Sequence, residues 1–499
     1  MSAGGAKPKK LVLTVIDAMK PAMLERAVAT GRAPALKLLI EQGQIVDDCV
    51  AAFPSVTPVC AASIATGVGP DEHHIPSMNW YHRGEGRYVE YGTSFKASQT
   101  FGFKRSLTDT IYNMNLEHLS SDLETVFEAL DDEDVRTAGT TYLMYRGRHR
   151  HEVTNDTALT RLASTVFRHA VYGPREFFYA DLFASRKTGC RSQFGMPGVR
   201  DQHAGCVGAH LVENDLFDFL LLSLPDNDTH SHRNGPFAQV SSIAAADKQI
   251  ERLMHAAGGP EAFLEDHAMI VCSDHSQSQV EREIDVFKAF DGFELEPPAP
   301  ARVRRDDEPP EIAVCPSSRS AQVYVLDRDR RMELVPRIER TALALEGVDL
   351  VMHLTDHPDG EASVRGERGE LRFMHGGELV DLRGDRWSVE GDLTLLGLQE
   401  RDGVITSAVY PDALGRVWSA LRCRTSAEVL LSAKPGYEFV DWGGDHHVGG
   451  GSHGSLHAND SLGTLLWCGT GPDSADARPQ WSLRDIVPMV REHFGVPAA

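Results

Sequence analysis

The chain has 499 residues, 41% of them apolar and 24% charged, with a formal net charge of −22. This length suits one large α/β domain with insertions, or two or three domains of ordinary size, and no apolar run is long enough to span a bilayer. The negative charge argues against a broad surface for a nucleic-acid polymer or a membrane, but it allows a small phosphate ester where bound cations reverse the local field.

In chain order, residues 1–10 carry three lysines, and the apolar stretch 11–16 ends at Asp17. That stretch is too short for the core of a signal peptide and reads as a buried strand. Helical patterns follow at 21–42 and at 120–130, the second opened by Ser120 and Ser121. Two more apolar runs, 217–226 and 267–275, also stop at acidic residues, as central strands covered on both faces do. Strand and helix alternate, so the expected fold is α/β: a doubly wound, mostly parallel sheet with helices on both faces and ligands beyond the carboxyl ends of the strands. The proline-rich, charged stretch 288–310 reads as an exposed excursion. A strand at 321–327, a helix at 334–345 and a strand at 348–354 extend the core past residue 320. One domain is expected over 1–499, with 95–215 and 360–400 as cap or insertion segments. Eight cysteines at 49, 60, 190, 206, 272, 315, 423 and 468 show no CxxC spacing. Reduced thiols in the cytoplasm are the expectation.

Several residues in this frame carry chemistry. Asp17 ends the first strand, where its carboxylate could cap a helix or face the crevice. Asp274 and His275 end another strand as Ser-Asp-His-Ser, and a turn there brings both side chains to one ion. The segment 225–236, PDNDTHSHRNGP, offers two D-x-x-x-H pairs, Asp226 with His230 and Asp228 with His232. A spacing of four puts both members on one helix face. The glycine-rich loop 443–460 supplies His446, His447, His453 and His457.

In FPSVTPVCAASIATG at 53–67, Thr57 precedes Pro58, so the expectation makes Thr57 an N-cap and Pro58 the first helical residue. The same geometry sets a hydroxyl beside unpaired N–H groups that favour a phosphate. A threonine hydroxyl becomes a competent nucleophile when a metal stabilises its alkoxide.

Strand-terminal Asp17, FPSVTPVCAASIATG followed by PDEHHIPSMNWY, D-x-x-x-H-x-x-G-P, SDH and GSHG stand in one order across most of the chain. In that order they resemble the type I phosphodiesterase/nucleotide pyrophosphatase branch of the alkaline phosphatase superfamily. The family places a His three residues before Gly-Pro, which selects His232 and hence Asp228 and leaves Asp226 and His230 to structural roles. The resemblance implies one divalent metal on Asp228, His232 and His453, and a second on Asp17, Asp274 and His275 with Thr57 bridging toward it. Zinc is the expected metal, with manganese or iron also suited to such ligands. Thr57 would form a phospho-threonine in cleaving a phosphodiester or pyrophosphate bond. Phosphomonoester or phosphonate hydrolysis on the same site, and a non-catalytic metal-binding homologue, are the alternatives. Family members carry an asparagine near the position of Met78 that binds a phosphate oxygen, and Asn79 is the nearest counterpart here. Cys60-Ala-Ala-Ser does not match the sulfatase motif. The implied partner is a small phosphate ester, with neither a nucleic-acid polymer nor a membrane; the oligomeric state stays open.

Overall fold

An eight-stranded sheet runs in the order Gln44–Val50, Leu462–Cys468, His267–Cys272, Lys10–Ile16, Phe219–Leu224, Thr137–Thr140, Glu176–Tyr179, Phe183–Ala184 in the computed structural model. The model describes residues 8–154, 169–180, 182–193, 196–298, 309–357 and 359–497. The four pairings from His267–Cys272 through Glu176–Tyr179 are parallel, and the outer pairings are antiparallel. Its central strands Lys10–Ile16, Phe219–Leu224 and His267–Cys272 are mostly apolar and buried because both faces are covered. Leu11, Leu13 and Val15 enter one core and Val12 and Ile16 the other, following the two-residue period of a strand. Helices Thr57–Thr66 and Ile486–Phe494 cover the first face, and Arg200–Glu213 and Val240–Ala256 the second. The doubly wound α/β architecture is therefore present. Strands Lys10–Ile16, Phe219–Leu224 and His267–Cys272 are adjacent and parallel, so the residues after each emerge at one edge.

The details refine the sequence reading. The helical stretch 21–42 is two helices, Pro21–Ala29 and Pro34–Gln42, broken where Gly31 takes φ 68° and Pro34 opens the second. The helix expected at 120–130 starts at Val126 instead, because Thr125 and Glu128 form the capping box and Ser120/Ser121 do not. Segment 95–215 supplies Thr137–Thr140 and Glu176–Tyr179 to the central sheet and helix Arg200–Glu213 to its face.

The elements past residue 320 form as Ser320–Val325, Arg331–Leu343 and Val348–Leu354, but their strands do not extend the central sheet. They join a second, almost wholly antiparallel sheet of nine strands that also holds Ala362–Gly366, Gly369–Val380 and Arg386–Gly391. A tight turn at Ser318–Arg319 joins Ile312–Ser317 to Ser320–Val325, and so short a link allows only antiparallel pairing.

Cys190 and Cys206 are joined in a disulfide, which corrects the expectation of reduced thiols for this pair; the other six cysteines are free and buried. A separation of 16 residues gave no local sign of it, since packing of helix Arg200–Glu213 against the preceding chain brings the two Cα atoms to 5.8 Å. No helix among the described residues is long and apolar enough to cross a membrane.

Candidate metal centre

The first ligand group is built on two strand ends. After Lys10–Ile16 the chain turns at Ala18, whose φ of 55° is unusual for a residue with a side chain. The turn lets the Ala18 N–H donate to Asp274 Oδ1 at 3.1 Å. The His275 N–H donates to the same oxygen at 3.0 Å. His275 Nδ1 faces Ser276 O at 3.1 Å, which assigns the proton to Nδ1 and leaves Nε2 as the free ligand atom. That Nε2 lies 3.5 Å from Asp274 Oδ2, 3.7 Å from Asp17 Oδ1 and 3.2 Å from Thr57 Oγ1. Asp17 Oδ1 is buried with no hydrogen-bond partner among the described residues. A buried acceptor without a donor is costly, and a cation there would satisfy it.

The second group joins a helix to a distant loop. Asp228 and His232 lie one turn apart on Asp226–Asn234, with His232 Nε2 3.3 Å from Asp228 Oδ1. His453 Nε2 lies 3.7 Å from the same oxygen. His232 Nδ1 faces Gly451 O at 2.8 Å and His453 Nδ1 faces Ser55 O at 2.9 Å, so both rings again present Nε2. Within each group, Asp228/His232/His453 and Asp17/Asp274/His275, the ligand atoms lie within 4.8 Å of one another. The groups abut: the rings of His275 and His453 stack at 3.9 Å.

The electrostatics fit cations. Burial, then the neighbouring Asp274 and Asp228, raises Asp17 well above the carboxylate range, and burial pushes Asp274 up to about 6. Burial also pushes His275 down to about 4 and His453 down to about 3, leaving both neutral with a lone pair for a metal. Burial acts to raise Asp228 as well, but His232 beside it prevails and holds that carboxylate low. Three carboxylates thus converge in one buried space, a concentration of negative charge that divalent ions relieve.

Thr57 does not occupy the expected N-cap position. It is the first residue of helix Thr57–Thr66, and extended Val56 is the cap. This corrects the N-cap assignment: with Pro58 one place further in, the Thr57 hydroxyl reaches His275 Nε2 rather than an N–H of its own helix. The other candidates are engaged elsewhere. Asp226 accepts from Gly198 N, Arg200 Nε and Asp201 N at 2.9, 2.8 and 3.1 Å. His230 faces Ala238 O at 3.2 Å. His446 pairs with Glu283 at 2.9 Å, and His457 accepts from Asn459 N at 3.1 Å. His447 bonds Glu438 at 2.8 Å and packs on the His232 ring at 4.0 Å. Asn79 Nδ2 donates to Val89 O and Glu90 Oε2, both at 3.0 Å, which commits its two N–H groups away from a phosphate. Sequence reasoning missed the supporting carbonyls of Ser55 and Gly451, which carry no side-chain signature, and Gln277, which donates to Asp228 and stands two residues after His275.

A family description, type I phosphodiesterase/nucleotide pyrophosphatase, matches residues 11–456 and so spans every residue of both groups. The chain belongs to that family. It is thus a hydrolase acting on phosphoric esters. Among solved structures, it resembles murine ectonucleotide pyrophosphatase/phosphodiesterase 5, an inactive variant in complex with AMP, at TM-score 0.58 and 10% identity, covering 98% of this chain and 96% of that one. Human ectonucleotide pyrophosphatase/phosphodiesterase 5 gives 0.56 and 11%, with coverage of 98% and 96%. Phosphonoacetate hydrolase from Sinorhizobium meliloti 1021, in complex with phosphonoformate, gives 0.54 and 16%, again covering 98% and 96%. At these identities the likeness is one of fold. No curated protein matches the chain.

Proposed function

We propose that this family member cleaves phosphodiester or pyrophosphate bonds, with Thr57 as nucleophile and one zinc ion in each ligand group. The observation that carries the reading is the placement of Thr57 Oγ1, 3.2 Å from His275 Nε2 at the N-terminus of a ten-residue helix, beside two sets of converging ligands. Asp228, His232 and His453 would hold one ion, and Asp17, Asp274 and His275 the other. Two such ions would favour the ionised Thr57 hydroxyl and offset charge developing on the phosphoryl oxygens. The first-turn N–H groups of helix Thr57–Thr66 add positive potential where the phosphate sits. Thr57 Oγ1 forms a bond to phosphorus as the bond to the leaving oxygen breaks, giving a phospho-threonine. Water then displaces Thr57 from phosphorus and regenerates the hydroxyl.

Phosphonate hydrolysis on the same residues is the second reading, supported by the similarity to a phosphonoacetate hydrolase. The two are separated by measuring kcat/KM on bis-p-nitrophenyl phosphate and p-nitrophenyl phosphate by p-nitrophenol release, and on phosphonoacetate by phosphate release, with chelator and with added zinc or manganese. The proposal expects metal-dependent turnover that is highest on the diester. Highest turnover on phosphonoacetate, which requires P–C cleavage, would favour the second reading. No turnover on any of the three by metal-replete protein would leave a metal-binding homologue without catalysis.

A further inference from the structure

Gln277 lies fully buried between the two ligand groups, two residues after His275 and directly before strand Ser278–Ile284. Its Nε2 donates to Asp228 Oδ1, the oxygen that faces both His232 and His453, and approaches the Asp228 carbonyl at 3.4 Å. Its own Oε1 is buried with no partner among the described residues. Leaving an amide oxygen unpaired in the interior costs free energy, and an apolar side chain of the same length would avoid that cost. The amide is therefore matched to a need for a donor at Asp228.

The surroundings are cut to fit it. A Cβ on Gly451 would fall 2.3 Å from Gln277 Oε1 and 2.9 Å from the Ser231 carbonyl, so a side chain there would push the Gln277 amide out of its present place. The Gly451 carbonyl in turn holds His232 Nδ1 at 2.8 Å. Ser278 pairs with Ser452 and Gln279 with Gly451 in antiparallel register, and His453 follows directly. One short ribbon thus touches Asp228 and His232 and carries His453, while its other end continues into His275 of the neighbouring group.

We infer that Gln277 is a positioning residue that orients Asp228, so that the ion on Asp228, His232 and His453 depends on it while the ion on Asp17, Asp274 and His275 does not. This rests on the two-ion reading above. The donor holds one carboxylate oxygen at the angle the two imidazoles require, as partners of metal ligands generally do.

The test is calorimetric titration of chelator-stripped full-length protein with zinc, with thermal unfolding as a check on folding. The unmodified protein should bind two equivalents. Gln277→Met should keep one equivalent at its original affinity and weaken the other about 10- to 100-fold. Gln279→Met, on the same ribbon with its side chain against Gly235 rather than Asp228, should keep both. In a His453→Ala background, Gln277→Met should add no further loss, which places the effect at that ion. Two unweakened equivalents in Gln277→Met would overturn the inference. So would equal weakening of both ions, or the same loss in Gln279→Met, either of which marks general damage to the ribbon. Fewer than two equivalents in the unmodified protein would instead sink the two-ion reading, and the inference with it.

Discussion

The two ligand groups are built in opposite ways. Asp17, Asp274 and His275 sit at the ends of two adjacent parallel strands and come together through the register of one sheet. Asp228 and His232 ride one helix, and their third member, His453, arrives from a loop more than two hundred residues later along the chain. The first group has two carboxylates and one imidazole, the second one carboxylate and two imidazoles. The first bonds to Thr57, through His275. A sheet edge thus supplies the Thr57 side of the site, and long-range packing supplies the other. The strand-end group is anchored by main-chain N–H groups of Ala18 and His275, whereas the helix-borne group relies on Gln277 and two distant carbonyls.

The largest effect expected from this contrast falls on Thr57. Thr57→Ala should lower turnover by at least about 10³-fold, and Thr57→Ser should keep part of it because the hydroxyl survives. Thermal unfolding should barely move, since Val56 and not Thr57 occupies the cap. A folded, metal-replete Thr57→Ala protein with near-normal turnover would remove the nucleophile and, with it, the functional asymmetry of the two groups.

Next come the ligands themselves. His275→Ala and His453→Ala should each lower metal stoichiometry from two to one by elemental analysis, whereas His446→Ala and His457→Ala should leave it at two. Full metal content in His453→Ala would show that the distant loop contributes no ligand.

A smaller effect is expected from the helix that carries Asp228. Asp226→Ala strips partners from Gly198, Arg200 and Asp201 and should cost roughly 1–3 kcal/mol of stability, with stoichiometry unchanged. Asp228→Ala should lose an ion. If the two variants exchanged these outcomes, the helix would present its other D-x-x-x-H pair to the site.

The smallest effect concerns pH. Burial, then the nearby Asp226, pushes Asp201 up to about 7. In the unfolded chain its carboxyl titrates near 4, so from about pH 4 to 7 the native state holds a proton that the unfolded state releases. Stability therefore falls as pH rises through that window. Asp201→Asn keeps an acceptor for the Asp226 N–H and removes the titration. It should be the more stable protein at pH 8 by on the order of 1 kcal/mol or more, with little difference at pH 4. Parallel denaturation curves for the two proteins at both pH values would refute this.

Much of the site was legible because its chemistry is local. Asp17, Asp274 and His275 end apolar runs, and a run that stops at a carboxylate marks a strand end whichever neighbours it finds. The D-x-x-x-H spacing states a shared helix face, but two overlapping pairs satisfied it equally; the family's His before Gly-Pro selected Asp228 and His232, and the fold turns that pair toward the other ligands. Spacing alone could not choose among the four histidines of 443–460, since a loop has no period from which to read direction, and it was the resemblance at GSHG that implied His453. Asn79 looked available by position, yet its amide is spent on Val89 and Glu90, a pairing set by the strand Arg87–Glu90 beside it.

By itself the sequence determined the alternating α/β order, the positions of the central strands and the residue types at the site, because side-chain period and hydrophobic runs are properties of short segments. The tertiary structure alone decided which sheet the strands past residue 320 would join and the pairing of Cys190 with Cys206, and it supplied the distances at which Thr57 meets His275 and His453 meets Asp228, a grouping that only the family resemblance implied beforehand. Each of these depends on two segments distant along the chain reaching the same place, and that is fixed by the packing of the whole core rather than by either segment.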